Sequence, residues 1–351
     1  MILRTSITIN GREVGPGKPV FIVAEMSANH GQDLDRAIRI LEAAKRAGTD
    51  AIKLQTYTPG TMTIQTSNEY FRIKGTAWEG RELYELYGEA FTPWEWQPKL
   101  KGIADSLGMT LFSTPFDQTA VDFLEKLEVP AYKIASFEIV DLPLLKKIAK
   151  TGKPIVMSTG MASLAEIDEA VHTLRENGAS QIALMKCTSA YPASPEEMNL
   201  RTIPHLAEAF GFPVGLSDHT LGSEVAVAAV ALGACIIEKH FTLSREIPGP
   251  DIAFSMEPRE FEEMVKAIRN TEKALGKVNY DITDHEKSSI VFRRSLFVVR
   301  DMREGEVFSG ENVRSIRPGF GLHTRHLDAV IGRKAKRDIS KGTPLAWDLI
   351  S

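Results

Sequence analysis

Cysteine is nearly absent: Cys187 and Cys235 are the only two in 351 residues. A disulfide framework cannot hold such a chain together. Both cysteines fall in apolar strand-like runs and read as reduced core residues. There is no uninterrupted apolar run of the roughly 18 residues that a membrane span needs. There is no marked charge excess either. Lys and Arg number 42 against 46 Asp and Glu, a net charge of −4, and the basic residues of KAKRDISK are too few to make a nucleic-acid surface. The first segment, MILRTSITINGREV, lacks the apolar core and small-residue cleavage site of a signal peptide. The expectation is a cytoplasmic protein with neither nucleic acid nor membrane as partner.

What is present is a repeated pattern. Apolar strand-like runs end, one after another, in residues that can do chemistry. FIVAEM ends at Glu25, AIKLQTY carries Lys53 and Gln55, and TLFSTP carries Ser113 and Thr114. AYKIAS carries Lys133 and Ser136, IVMSTG carries Ser158 and Thr159, and IALMKCTS carries Lys186, Thr188 and Ser189. VGLSDHT carries Ser217, Asp218 and His219, and CIIEKHF carries Glu238, Lys239 and His240. Charged groups inside a core are costly unless paired or used.

Segments of helical period lie between these runs, among them LDRAIRILEAAKRAG, QTAVDFLEKLE, SLAEIDEAVHTLRENG and PREFEEMVKAIRNTEKALG. Strand and helix alternating with short turns imply a parallel sheet with right-handed crossovers. Eight units fit between about residue 20 and residue 277, the size and count of a (β/α)8 TIM barrel. The open doubly wound alternative would place a Gly-rich fingerprint in its first turn, and EMSANHGQDL has none. In a barrel the strand ends converge on one mouth, which is where active sites lie.

Two long loops, 59–92 and 243–257, interrupt the repeat and should sit at that mouth. The aromatic stretch YFRIKGTAWEGRELYELYGEAFTPWEW in the first suits either stacking on a sugar or packing. The expected division is a catalytic barrel over residues 1–280, a polar linker over 281–290 and a small β-rich domain over 291–351. At about 60 residues that last domain has a marginal core of its own and is expected to pack on its own barrel or on a partner subunit.

His219 and His240 end the seventh and eighth strands and lie within bridging distance of a divalent metal such as Mn, Co, Fe or Zn, with Glu238 or water completing the set. The alternative is two hydrogen-bonded histidines without metal. Lys53, Lys133 and Lys186 converging on the mouth predict an anionic substrate, and Ser136, Ser158, Ser189 and Ser217 beside them suit a phosphate. A Schiff-base lysine is the rival reading. Glu25 and Glu138 are candidate general bases or sugar-hydroxyl ligands. Glu138 reads equally well as a helix N-terminal charge before DLPLL.

The motifs AEMSANHG, AIKLQTYTP, AYKIASFE, STGMAS, KCTSAYP, VGLSDHT, IEKHF, RRSL, IRPGFGLHT and IGRKAKRDI together resemble the sialic acid synthase family over nearly the whole chain. The segments KGTAWEGRELYELYGEAFTPWEW and RPGFGLHT resemble its pseudaminate branch; legionaminate- and neuraminate-type synthases are the alternatives. The resemblance implies an α/β fold, a (β/α)8 barrel followed by a C-terminal antifreeze-like (SAF) β-clip domain. It implies a homodimer with that domain swapped over the partner's mouth. It also implies condensation of phosphoenolpyruvate with an acylated amino-deoxy hexose, and a divalent metal, Mn first, then Co or Mg. Carried over by motif, His219 and His240 match metal ligands. Lys133, Ser136, Ser158, Ser189 and Ser217 match the phosphoenolpyruvate site, although N-acetylneuraminate synthases carry Asn at the position of Ser189. Glu25, Lys53, Gln55, Tyr191 and Asp251 match groups near the sugar. Arg317 matches an arginine supplied by the other subunit. Glu138 and Glu238 complete the expected catalytic set.

Overall fold

Eight parallel strands close into a barrel: β1 Phe21–Glu25, β2 Ala51–Thr56, β3 Thr110–Pro115, β4 Tyr132–Ile134, β5 Ile155–Ser158, β6 Ile182–Cys187, β7 Val214–Asp218 and β8 Ile236–His240. The computed structural model describes residues 6–76 and 78–351, so the first five residues of MILRTSITINGREV lie outside the described part. Each strand pairs with its sequence neighbour, and β8 closes on β1 with His240 opposite Glu25.

A helix follows every strand: α1 Leu34–Arg46, α2 Gln97–Ser106, α3 Gln118–Lys126, α4 Leu142–Ala149, α5 Leu164–Glu176, α6 Thr202–Phe210, α7 Glu224–Ala231 and α8 Pro258–Leu275. Local chemistry sets their starts. Asp33 accepts from the Arg36 N–H, and Ser163 forms a capping box with Glu166, which satisfies N–H groups the helix cannot. Helix α6 carries Pro204 in its first turn, where the missing N–H has no intrahelical partner to lose.

The helices bury one face against the outer face of the barrel. Ile40 and Leu41 of α1, Leu144 and Ile148 of α4, and Phe261 and Met264 of α8 share one apolar cluster with Ile22, Leu54, Met157 and Leu216 of the strands. The barrel interior is a separate, smaller cluster containing Phe21, Val23, Ala51, Phe112, Ala131, Val156, Ala183, Met185 and Ile236. Ile7, Ile9 and Val14 join it. They come from an N-terminal antiparallel hairpin, Ile7–Ile9 with Arg12–Val14, which caps the N-terminal end of the barrel.

The chain divides into two compact units, Met1–Gly276 and Lys277–Ser351. The polar stretch at the start of the second holds a capped turn, Asp284–Lys287, with Thr283 and Glu286 forming its capping box. Strands β9 Ser295–Val298 and β10 Val313–Ile316 then pair antiparallel. Single bridges such as Phe297 to Pro344 and Met302 to Ile339 tie down the rest over a core of Leu296, Val298, Phe308, Val313, Val330 and Leu345.

Candidate active site

Strand alternation builds the site. Two residues beyond the inward apolar layer, where side chains face the same way again, every strand changes character. Val23 gives way to Glu25, Ala51 to Lys53, Phe112 to Thr114, Ala131 to Lys133, Val156 to Ser158, Met185 to Cys187, Gly215 to Ser217 and Ile236 to Glu238. Gly215 is required by space: a Cβ there would lie 2.5 Å from the Ile236 carbonyl oxygen and from Met185 Sδ.

Four charges meet in this polar ring. Lys53 Nζ lies 2.5 Å from Glu25 Oε2 and 3.5 Å from Glu238 Oε1, and Lys133 Nζ lies 3.6 Å from the same Glu238 oxygen. Lys133 also donates to Ser158 Oγ at 2.7 Å, Ser217 donates to Glu238 at 3.2 Å, and Lys53 donates to Thr114 at 3.3 Å. Burial opposes the Lys53 ammonium, but the carboxylates of Glu238 and Glu25 outweigh it and hold its pKa above the ordinary range. Burial prevails at Lys133, whose pKa is lowered. Burial opposes the Glu238 carboxylate too, yet Lys133 and Lys53 pull its pKa below the ordinary value. Burial raises that of Glu25.

Beside Lys133 lies a cradle of small groups. The Gly160 N–H donates to Ser136 Oγ at 3.1 Å. A Cβ on Gly160 would lie 2.3 Å from Ser189 Oγ and 2.6 Å from Ser136 Oγ, so any side chain there would displace these hydroxyls. On the other side Gln55 donates to Glu25 at 3.2 Å and to Ser27 at 3.0 Å, and Ser27 donates to Asp251.

His219 and His240 stand with ring centroids 5.4 Å apart. The His219 Nδ1–H donates to the Thr188 carbonyl at 3.0 Å, which leaves Nε2 with the lone pair when the ring is neutral. His240 is held well below its ordinary pKa by burial and by His219, and its buried Nδ1 has no hydrogen-bond partner among the described residues. Burial opposes charge on His219, while Cys187, 4.0 Å away, raises its pKa. Two imidazoles, one oriented by a carbonyl and one left with an orphaned nitrogen, fit a metal-ligand pair. Among the described residues no group of three or more His, Cys, Asp and Glu has metal-ligand geometry, so further positions would fall to water or substrate.

Aromatic rings wall this corner. Tyr191 lies 4.4 Å from His219 and 5.2 Å from Phe254, and Trp78 lies 5.7 Å from Tyr191. Trp78 Nε1 donates to the Pro250 carbonyl at 3.0 Å, joining the two long loops. Packing, one of the two readings of the aromatic stretch, is seen where Tyr87 packs on Tyr57 and Trp94 on Phe123.

Of the residues singled out from the sequence, the first unit gathers Glu25, Lys53, Gln55, Lys133, Ser136, Ser158, Ser189, Tyr191, Ser217, His219, Glu238, His240 and Asp251 at this mouth. Glu138 is on the turn Ser136–Val140 after β4, with a buried Oε2 lacking a hydrogen-bond partner among the described residues. The N-cap of α4 is Asp141, which accepts from Leu144 N at 3.1 Å. Arg317 follows β10 in the second unit and is exposed. Lys186 is a correction. It lies one residue out of phase with Met185 and Cys187, and its Nζ donates to the Cys187 carbonyl at 2.8 Å and Thr188 Oγ1 at 3.1 Å instead of joining Lys53 and Lys133. Ser113 is likewise out of phase, bonded to Thr56 at 2.6 Å. Both cysteines are buried and free, but Cys187 belongs to the polar ring rather than to the apolar core. Ser27 and Gly160 were not singled out from the sequence; their only signal was membership of the quoted motifs.

The sequence profile of the NeuB family matches residues 40–280, and that of the SAF domain matches residues 293–351. A pseudaminic acid synthase of Campylobacter jejuni is 45% identical over 328 residues, covering 93% of this chain and 96% of that one. A pseudaminic acid synthase of Helicobacter pylori is 45% identical over 333 residues, covering 94% and 98%. Among solved structures, the N-acetylneuraminic acid (sialic acid) synthetase of Leptospira borgpetersenii is 33% identical and superposes with a TM-score of 0.72 over 81% of this chain and 95% of that one.

Proposed function

We propose a reaction from one premise: the chain belongs to the NeuB family. It is a cytoplasmic transferase that condenses phosphoenolpyruvate with 2,4-diacetamido-2,4,6-trideoxy-altrose and releases phosphate and pseudaminic acid. The observation that carries the reading is one mouth in which the buried Lys133 ammonium and a serine–glycine cradle stand beside the His219–His240 pair. That arrangement supports an anion site next to a carbonyl-activating site. An aldolase working through a Schiff base on one of these lysines would release no phosphate from phosphoenolpyruvate, so a phosphate-release assay separates the two.

The residues divide the work. Lys133, Ser136, Ser158, Ser189 and Ser217 bind phosphoenolpyruvate and hold its charge in place. Glu25, Lys53, Gln55, Tyr191 and Asp251 orient the open-chain sugar, and Arg317 of a second copy closes over its acyl group in a swapped homodimer. The size of the second unit, marginal by itself, and its exposed Phe320 and Trp347 support that arrangement. A divalent ion held by His219 and His240, Mn²⁺ in first place and Co²⁺ or Mg²⁺ as alternatives, would supply Lewis-acid polarisation of the aldehyde oxygen. C3 of the enol then forms its bond to the aldehyde carbon, water adds at C2, and phosphate leaves by C–O cleavage. Glu238 stays ionised between the two lysines and fixes their positions, so electrostatics and positioning carry most of the rate.

Incubating the protein with phosphoenolpyruvate, Mn²⁺ and each of N-acetylmannosamine, the diacetamido-trideoxy-altrose and its manno isomer should release phosphate fastest with the altrose. Bridging oxygen-18 should leave with phosphate. Retention of the label in the sugar acid, or no phosphate with any of the three, would reject the reaction.

Glu138 is the proposed base that delivers water. Burial raises its carboxyl to about 7, against the pull of Lys133 and Lys53. A base works deprotonated, so activity should rise with pH up to about 7 and then level off. Glu138→Gln should remove that acid limb and lower kcat by roughly 10²–10⁴-fold, the range of one general base. A pH–rate profile of the variant that keeps the limb would assign it to another group.

A further inference from the structure

We propose that Asp218 and Lys239 are positioning residues that fix His219 and His240 relative to each other and so set how tightly the pair holds its divalent cation. The inference rests on the metal reading above. Asp218 and Lys239 are neighbours in sequence of the two histidines but have the opposite strand phase, so they lie on the outer face of the barrel, where charge has no catalytic use. They are nevertheless charged and about 1% exposed. They are also register partners, the last rung of the β7–β8 ladder, so no backbone rung of that ladder joins the two peptides where the histidines stand.

A side-chain clamp takes over there. Lys239 Nζ donates to Asp218 Oδ2 at 2.7 Å and to the Thr220 carbonyl at 2.6 Å. It thus grips the chain on both sides of His219 while itself being the residue before His240. Asp218 Oδ1 accepts from the Thr220 N–H at 2.9 Å and the Thr220 hydroxyl at 2.7 Å, closing the turn that presents His219. The His240 carbonyl is fixed from the other side by Met256 N–H at 2.9 Å. A buried ion pair is weak evidence of stabilisation, since an apolar pair of similar volume often serves as well. Its placement one residue from each imidazole gives it a role an apolar pair would not fill, because groups behind metal ligands set ligand orientation.

The test titrates full-length protein with Mn²⁺ alone and reads the free aqua ion by electron paramagnetic resonance, alongside thermal unfolding. Asp218→Asn keeps the shape and the Oδ1 acceptor but removes the charge; the folded variant should bind Mn²⁺ at least tenfold more weakly. The double variant D218L/K239M also strands the buried Thr220 N–H, hydroxyl and carbonyl, so it should unfold at a lower temperature, and the folded protein should bind at least tenfold more weakly. Parental affinity, within twofold, in either folded variant would overturn the proposal and assign the pair to stability alone. His219→Ala separates the two readings: if it abolishes Mn²⁺ binding while D218N does not, only the positioning role falls. If it leaves Mn²⁺ binding unchanged, the metal site itself falls and this role with it.

Discussion

Glu238→Gln should reduce kcat/KM about 10³-fold and lower the unfolding temperature at once. The side chain keeps its volume, so the effect isolates charge. Glu238 Oε1 is the shared neighbour of Lys53 at 3.5 Å and Lys133 at 3.6 Å, and all three are buried. Without it, Lys53 retains Glu25, but Lys133 loses its only carboxylate partner among the described residues. Removing one member of a buried ion pair costs about 3–5 kcal/mol of stability, and losing a fixed charge aimed at the reacting group costs roughly 10²–10³-fold in rate. Burial already lowers the pKa of Lys133, so the variant should shed that proton and with it the charge that holds phosphate. Calorimetry with phosphate release checks both halves. A variant within tenfold of the parent would show that Glu238 is not what keeps these lysines charged.

His219→Ala and His240→Ala should each lower kcat about 10²–10⁴-fold, the several kcal/mol that a Lewis acid supplies. The double variant should be scarcely worse than either single one, because two ligands of one ion act as a unit. Chelator should abolish the parental activity and added Mn²⁺ restore it, while neither should change what remains in the variants. The His219 ring is oriented by Thr188, and His240 Nδ1 has no partner to lose among the described residues, so neither truncation should threaten the fold. Full activity of rigorously metal-free protein would reject the assignment.

The barrel was legible because strand and helix patterns alternate at regular spacing, and the mouth because chemistry-bearing residues recur at the strand ends. What the residues alone could not settle is which of two adjacent polar residues faces inward. Strands buried on both faces read as continuous apolar runs, so phase leaves no trace: Lys133 and Lys186 look alike in sequence, yet one meets Glu238 and the other folds back on its own strand end. The Asp218–Lys239 pair was hidden by the same ambiguity. Glu138 was open between a helix N-terminal charge and a base, and the sequence did not show that Asp141 is the residue that caps the helix. Gly160 and Ser27 carry no individual signal, because their importance is a matter of closeness that only the fold creates. The capping hairpin was hidden by strands of only three residues each.

The hydrogen bond from Trp78 to Pro250 ties segments separated by 172 positions in the chain. Anyone grafting a relative's first loop onto this scaffold to alter sugar preference should carry the second loop along with it. A half-exchange would strand an indole N–H and a carbonyl at the rim.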